Sequence, residues 1–271
     1  MADSIRKCLD EADTVSELKL LLSASKDKTF VVVEGDDDVR LFKSLLGCKV
    51  SLIQSYQSKL GVEKMIQIHF PKQKRVIGIR DKDYQKKPLC NRIFYCDYCC
   101  AEMMIIANDD CFERIYNSYC NTPLEAQNLR LKCLQCLEQL SELRCLNEER
   151  QWKVIFDGIK PAALSDDNQS TMNDNIMAQL NNCNPTNPIT KRRIASVAKR
   201  FPVNHDEEGL LYITNGHDFI NIFHYLGNIK ESIKAVGKSL RSSFGKAEFQ
   251  KTQLYCNLYS YQQKNKLNIV N

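Results

Sequence analysis

The chain has 271 residues, of which 43% are hydrophobic, so it can hold one large domain or one domain with an appendage. Its formal net charge of +5 permits a polyanionic partner without requiring one. No stretch approaches the roughly 20 apolar residues of a membrane span, and the start of the chain lacks the basic and apolar regions of a signal peptide. We therefore expect a cytoplasmic protein whose thirteen cysteines are reduced thiols.

The first 80 residues predict alternating helices and strands. The sequence Thr14-Val15-Ser16-Glu17 matches a capping box before a leucine-rich run, which predicts an N-terminal helix. Short runs dominated by β-branched residues predict buried strands, and apolar residues at helical spacing predict helices. The predicted strands are 30–33, 50–53 and 76–79, and the predicted helices between them are 37–46 and 61–70. This α-β-α-β-α-β order indicates an α/β fold, with a parallel sheet covered by helices on both faces.

Acidic residues follow two of these strands. Glu34 comes directly after the first strand, with Asp38 four residues later, and Asp81 and Asp83 follow the strand at 76–79. Because ligands of parallel α/β sheets lie outside the carboxyl ends of the strands, we expect these side chains at one edge. Clustered carboxylates repel one another, and a hard cation such as magnesium relieves that repulsion. Each cluster alone is explained better by helix capping.

Taken together, the two clusters resemble a known domain. The Glu34-Gly sequence with Asp38, followed by Asp81-x-Asp83 at the end of a later strand, resembles the Toprim domain over roughly residues 28–110. That domain occurs in topoisomerases, DnaG-type primases and OLD-family nucleases. The resemblance implies that Glu34, Asp81 and Asp83 bind Mg²⁺ or Mn²⁺ and that Asp38 completes the catalytic site. Since the sequence indicates neither a topoisomerase tyrosine domain nor a primase module, a nuclease that hydrolyses phosphodiesters is the expected activity.

A fourth predicted strand and the helix after it extend the resemblance. Residues 93–95 predict a further strand, and Glu102 stands at the start of an apolar helical stretch. This pattern resembles the DUF4435 subgroup of Toprim-like proteins, including the nuclease effectors of PARIS-type anti-phage defence. The resemblance implies a tRNA substrate and an ABC-type ATPase partner, which must be a separate protein because this chain has no Walker A motif. Glu102 is either an additional catalytic acid or a first-turn residue that offsets the helix dipole.

The second half of the sequence predicts a mostly helical lobe. A leucine-rich pattern at 124–149 predicts a long helix, and Cys133 and Cys136 share its apolar stripe. Together with the C-x-x-C-C run at 96–100 they could form a zinc ribbon, but thiols inside a helix favour a core role. Residues 165–188 predict a loop, and the segment around residues 213–219 predicts a strand, a glycine turn and a helix. His217 is either a catalytic or a capping residue.

Basic residues mark candidate contacts to nucleic acid. They are Lys82, Lys191, Arg192, Arg193, Lys238 and Arg241. Basic residues interleaved with aromatics, as in the C-terminal stretch, suit phosphates and unpaired bases. The alternative is a helical lobe with an aromatic core and a basic exterior, and that alternative is stronger for the C-terminal stretch. We predict a Toprim-like catalytic core at 1–123 and a helical lobe at 124–271.

The sequence leaves two other functions open. One is a non-catalytic module that binds nucleic acid or protein through a degenerate Toprim fold. The other is a phosphatase or nucleotidyl-transfer enzyme that acts on small phosphates. A homodimer would be one way to build a substrate groove.

Overall fold

The structure is a computed structural model that describes residues 10–85, 87–160, 174–201 and 205–271. The chain divides into two units, with the first formed by the residues up to Asp97 and by Phe244–Asn271, and the second by Tyr98–Ser243. The boundary expected after residue 123 therefore falls inside the second unit. Within the described residues, no helix is both long and apolar enough to cross a membrane.

The first unit has the predicted α/β architecture. Its elements up to Asp97 are α1 (Glu11–Ala24), β1 (Thr29–Val33), α2 (Asp36–Leu45), β2 (Val50–Gln54), α3 (Ser58–Lys64) continued by a π-helical turn (Met65–His69), β3 (Val76–Arg80) and β4 (Ile93–Tyr95). The alternation of helices and strands and the strand positions confirm the α/β prediction. All five residues of β1 and all five of β3 are buried, which explains their continuous apolar runs.

The sheet is parallel throughout, and its strand order creates a switch point. The order is β2-β1-β3-β4, with Val32 paired to Gly78 and Arg80 paired to Tyr95. The chain moves outward from β1 to β2 and then returns across β1 to form β3. Helices that follow neighbouring strands on either side of such a reversal lead away from each other and leave a crevice at the carboxyl ends. In this sheet the crevice lies between β1 and β3.

The N-terminal helix begins earlier than the sequence pattern indicates. Asp10 is its N-cap, because the Asp10 side chain accepts a hydrogen bond of 2.9 Å from the backbone N–H of Asp13. Thr14 lies inside the first turn, where its hydroxyl donates to the carbonyl of Asp10 at 3.0 Å. The prediction of a capping box at Thr14 was therefore wrong. Aspartate is at least as good an N-cap as threonine, and it lies one turn earlier.

The helices pack closely on the sheet. Leu18 of α1 and the helical residues Val62 and Ile66 are fully buried in one apolar cluster with β1 and β3. Gly78 makes this approach possible, since a Cβ atom at that position would lie 2.6 Å from Cγ1 of Val62. The buried positions of these helices recur at helical spacing, so the hydrophobic pattern of the sequence correctly predicts which helix faces contact the sheet.

The C-terminal segment completes the core of the first unit. Its two helices are numbered last, after those of the second unit, which precede them in the chain. The helices of the second unit are α4 (Ala101–Ile106), α5 (Asp109–Tyr119), α6 (Ala126–Arg150), α7 (Asp174–Cys183), α8 (Lys191–Arg200), α9 (Glu207–Ile213), α10 (Gly216–Leu226) and α11 (Ile233–Ser243). The two C-terminal helices are α12 (Lys246–Phe249) and α13 (Gln253–Asn265).

Aromatic side chains attach this C-terminal segment to the sheet and to α2. The rings of Phe249 and Phe42 lie 6.4 Å apart edge to face, and those of Tyr261 and Phe94 lie 5.5 Å apart. The backbone N–H of Gly47 donates to the carbonyl of Ile269 at 2.8 Å. Phe249 is therefore a core residue and Tyr261 packs against the sheet, whereas Tyr259 is exposed, and the segment belongs to the first unit rather than to the expected helical lobe.

The second unit is helical and is organised around α6. Leu129, Cys133, Leu137 and Leu140 are fully buried along one stripe of this helix, as the sequence pattern predicted. Cys136 is also buried in the same helix. The core role expected for these two cysteines is confirmed.

Two local predictions in the second unit were wrong. The loop expected at 165–188 includes helix α7 from Asp174 to Cys183, while residues 165–173 lie outside the described part of the chain. The run that ends at Ile213 is helix α9 rather than a strand, with Asp206 as its N-cap. A short apolar run does not distinguish a strand from a buried helical turn, and here the cap and the packing of Leu210 decide it.

From the buried acid Glu142 we expect the stability of the second unit to depend on pH. The side chain of Glu142 on α6 is 9% exposed, and its carboxylate lies 3.6 Å from Nε2 of His205. Burial raises the pKa of Glu142 from 4.5 to about 7, and the neighbouring Glu138 adds to the rise. Stability from this proton is thus fully present below pH 4.5 and is lost as the pH rises through about 7.

The E142Q variant should remove this dependence, because glutamine stays neutral throughout. We expect E142Q to gain stability relative to the wild type between pH 5 and pH 8, measured by denaturant unfolding at both values. The control is E113Q on α5, which is exposed. An equal pH response of the wild type and E142Q would contradict the assignment.

Candidate metal and active site at the sheet edge

Glu34 and Asp81 meet at the switch point of the sheet. Glu34 follows β1 and Asp81 follows β3, and the backbone N–H of Asp81 donates to Oε1 of Glu34 at 2.9 Å. This bond joins the carboxyl ends of the two central strands. The structure thus brings together two of the acids that the sequence singled out, at the position where α/β sheets bind ligands.

The Glu34 carboxylate is held from a second side by Ser58. The hydroxyl of Ser58 donates to Oε2 of Glu34 at 2.8 Å, and the Glu34 side chain is 15% exposed. Ser58 begins α3 with a φ of 46°, in the left-handed region. Non-glycine residues in that region cost roughly 1–3 kcal/mol and cluster at functional sites. In this turn the Ser58 hydroxyl lies within hydrogen-bond distance of the carboxylate.

Arg80, which was not among the predicted site residues, is a buried cation, and the acids of the edge surround it. Its side chain is 1% exposed, forms an ion pair with Glu63 and lies 3.9 Å from Oε1 of Glu34. Its Nε also donates to the carbonyl of Asp81 at 3.0 Å. The signal available in the sequence was an arginine as the last residue of an otherwise apolar strand, since a buried arginine requires acidic partners.

Asp83 is paired with cations. Arg80 contacts its Oδ2 at 3.2 Å, and Nζ of Lys59 contacts the same atom at 3.2 Å. Asp83 has a φ of 48°, so the loop after β3 turns through the left-handed region at this residue. Because both cations contact Oδ2, Oδ1 is the atom that Asp83 would offer to a metal ion.

Asp38 has a structural role. Its Oδ2 accepts a hydrogen bond of 2.9 Å from the backbone N–H of Gly35, which is the N-cap of α2. Asp38 thus has the helix-capping role that the sequence offered as the alternative to a catalytic one. In this structure Asp38 fixes the turn that presents Glu34.

The pKa of the buried Cys96 thiol responds to the acids at this edge. Cys96 follows β4 and is 2% exposed. Burial raises the pKa of Cys96 well above its usual value, and four carboxylates of the first unit raise it further. These are Asp81, Asp38, Glu34 and Asp97. The strand ends therefore share a field of negative charge, which favours a cation.

Asp97 and Lys82 lie at the same edge. The Asp97 carboxylate accepts hydrogen bonds from the backbone N–H groups of Gln253 and Leu254, at 2.7 and 2.9 Å, and so caps α13. Burial raises the pKa of Asp97, while these bonds and the charge of Lys82 lower it. Lys82 is thus the one predicted nucleic-acid contact that the described structure places in the first unit.

Glu102 and Arg241 belong to the second unit and are paired there. Glu102 lies in the first turn of α4, 3.5 Å from the guanidinium of Arg241, and both side chains are about 15% exposed. A Cβ atom at Gly216 would lie 2.6 Å from Cβ of Glu102, so α10 begins directly against this residue. The charge of Arg241 is therefore offset within the unit.

The remaining candidates lie on the surface of the second unit. Lys191 and Arg192 in the first turn of α8, and Lys238 on α11, are exposed, while Arg193 is half-buried. His217 is exposed in the first turn of α10, where its backbone N–H donates to the side chain of the N-cap Asn215. His217 is thus part of a helix start.

The donor atoms at the edge fit a hard divalent cation. Glu34, Asp81 and Asp83 offer carboxylate oxygens, which Mg²⁺ and Mn²⁺ prefer over nitrogen or sulfur. The hydrogen bonds to Glu34 leave lone pairs on its oxygens, because each carboxylate oxygen accepts more than one bond.

No protein-family model and no curated protein matches this chain.

Proposed function

We propose that the first unit is a metal-dependent nuclease that hydrolyses phosphodiester bonds of nucleic acid. The observation that carries the proposal is the junction of Glu34 and Asp81 at the switch point of a parallel sheet. The carboxylates gathered around Cys96 support it, since neighbouring negative charges at a strand edge favour a bound cation.

In the proposed mechanism the acids hold the metal and Arg80 holds the acids. Glu34, Asp81 and Asp83 would hold Mg²⁺ or Mn²⁺, and the ion would supply Lewis-acid activation of the phosphate and of a water molecule. Arg80 and Ser58 keep the Glu34 carboxylate in one orientation. Lys59, whose side chain is 38% exposed beside Asp83, would offer a positive charge to the phosphate.

The test is cleavage of single-stranded RNA, tRNA and DNA by the purified chain with Mg²⁺, with Mn²⁺ and with a chelator. We expect cleavage with either metal and none with the chelator. Cleavage that persists unchanged in the chelator, or no cleavage of any substrate, would refute the proposal.

The substrate and the partner are proposed from the resemblance to DUF4435 proteins. They are tRNA and a separate ABC-type ATPase that holds this chain inactive in the cytoplasm until infection. Growth of cells that express the chain alone should stop, and co-expression of the ATPase should restore it. Harmless expression of a chain that cleaves RNA in vitro would contradict this regulation.

A non-catalytic binding module is the second candidate. It is favoured by the structural roles of Asp38 and Asp97, which cap helices, and by the ion pairs of Asp83. In that case Glu34 and Asp81 would serve only to join two strands. The cleavage assay separates the two functions, since a binding module retains nucleic acid with or without the metal.

A further inference from the structure

A basic cleft with an aromatic wall lies within the second unit. Its volume is about 620 Å³, within the size range of ligand sites. Among the described residues, it is lined by Arg150, Trp152, Thr190, Arg192, Arg193, Ser196, Lys199 and Arg200. Five of these eight side chains are cationic and none is acidic.

The aromatic wall depends on an unusual backbone turn. Helix α6 ends at Arg150, and the residues on either side of Trp152 have left-handed conformations, with φ of 52° at Gln151 and 58° at Lys153. The turn brings the Trp152 ring beneath the guanidinium of Arg193, 5.2 Å from the ring centre. Left-handed residues therefore flank Trp152 on both sides, and the first of them is the C-cap of α6.

The basic wall is one face of α8. Arg192, Ser196 and Lys199 follow one another at helical spacing, so they form a row along this face. The cations of the row extend over about 10 Å of helix axis, at 1.5 Å per residue. Arg200 is paired with Glu149 at 3.3 Å. Arg192 and Lys199 are exposed and form no ion pair in the described part of the chain.

We propose that this cleft binds an unpaired segment of nucleic acid, with phosphates on Arg192 and Lys199 and a base against the Trp152–Arg193 pair. The choice of nucleic acid among polyanions rests on the proposed function. A single strand is favoured over a duplex because a base can stack on an aromatic or guanidinium plane only when it is exposed. A row of cations is longer than one phosphate requires, which favours a strand over a mononucleotide.

The cleft carries its own reporter, because Trp152 is the only tryptophan of the chain. The experiment uses full-length E34Q protein in a chelator, so that binding is measured without cleavage. Oligouridylate should change the tryptophan fluorescence saturably, and the logarithm of the affinity should fall with the logarithm of salt by about 0.7 per phosphate contact. A duplex and heparin serve as competitors of matched charge. Equal competition by either would overturn the proposal.

Variants locate the binding by anisotropy of labelled oligouridylate. R192Q/K199Q should weaken binding at least tenfold and reduce the salt slope by about 1.4, since two contacts are lost. W152A should weaken it about tenfold or more, because a stacked base is lost. The matched control is K230Q/K234Q, which removes the same charge from exposed positions outside the cleft. Equal losses in both double variants would overturn the site.

The outcomes also separate this inference from the proposed nuclease. Binding in the cleft without any cleavage would leave the inference standing and remove the nuclease. Metal-dependent cleavage by wild type with no effect of the cleft variants on binding would remove the inference and leave the nuclease.

Discussion

The E34Q variant should lose metal-dependent cleavage by about 10²-fold or more, since it removes a charge placed where the reaction needs it. Its fold should persist, because glutamine is nearly isosteric. The amide oxygen can still accept from the backbone N–H of Asp81, and the amide nitrogen can donate to the hydroxyl of Ser58. Initial rates of RNA cleavage across a range of Mg²⁺ concentrations would measure the loss, with an increase in the half-saturating concentration if Glu34 is a ligand.

The matched control is E17Q, which removes the same charge from an exposed position on α1. It should cleave at the wild-type rate. Wild-type cleavage by a folded E34Q protein would exclude Glu34 from the chemistry. Equal loss of activity in E17Q would point instead to a general effect of net charge.

Replacement of Arg80 by methionine should destabilise the first unit severely. The guanidinium is buried between Glu63 and Asp83 and approaches Glu34, so its removal takes the buried cation from Glu63 and Glu34 and leaves Asp83 with Lys59 alone. Removing one member of a buried ion pair costs about 3–5 kcal/mol of stability. Because these acids are partly exposed, we expect the loss for R80M to lie near the lower end of that range. The free energy of unfolding in urea, with an unchanged slope, would measure it.

Two further variants test the cause. R80K keeps the charge but cannot reach several carboxylates at once, so it should recover only part of the stability. R80M/E63M removes both members of the closest pair and should be more stable than R80M alone. If R80M unfolds at the wild-type urea concentration, the cluster contributes nothing measurable to the fold.

The sheet and two of its acids were predictable from sequence because their signals are local. A run such as Phe30–Val33 indicates a buried strand by composition, and an acid that directly follows it must lie at the strand end. Glu34 and Asp81 were placed by this reasoning alone. Parallel strands bring their carboxyl ends to one edge whatever the order of the sheet.

The roles of the other acids depend on contacts distant in sequence. Asp97 caps a helix that begins more than 150 positions later, at Gln253. The cations that pair with Asp83 come from its own strand and from Lys59 on α3. A motif can state that an acid stands at a strand end, but the positions of its partners settle whether that acid is a ligand, a cap or an ion-pair member.

The return of the C-terminal helices to the first unit has a consequence for the order of synthesis. A ribosome makes the four strands first and then the whole of Tyr98–Ser243. Only afterwards does it make the residues that pack on α2 and β4 and whose backbone N–H groups donate to the Asp97 carboxylate. Contacts so distant in sequence form late in folding. We therefore expect nascent chains and fragments that stop before Phe244 to lack a finished acidic edge, so that the proposed nuclease activity would arise only once the segment Phe244–Asn271 has been made.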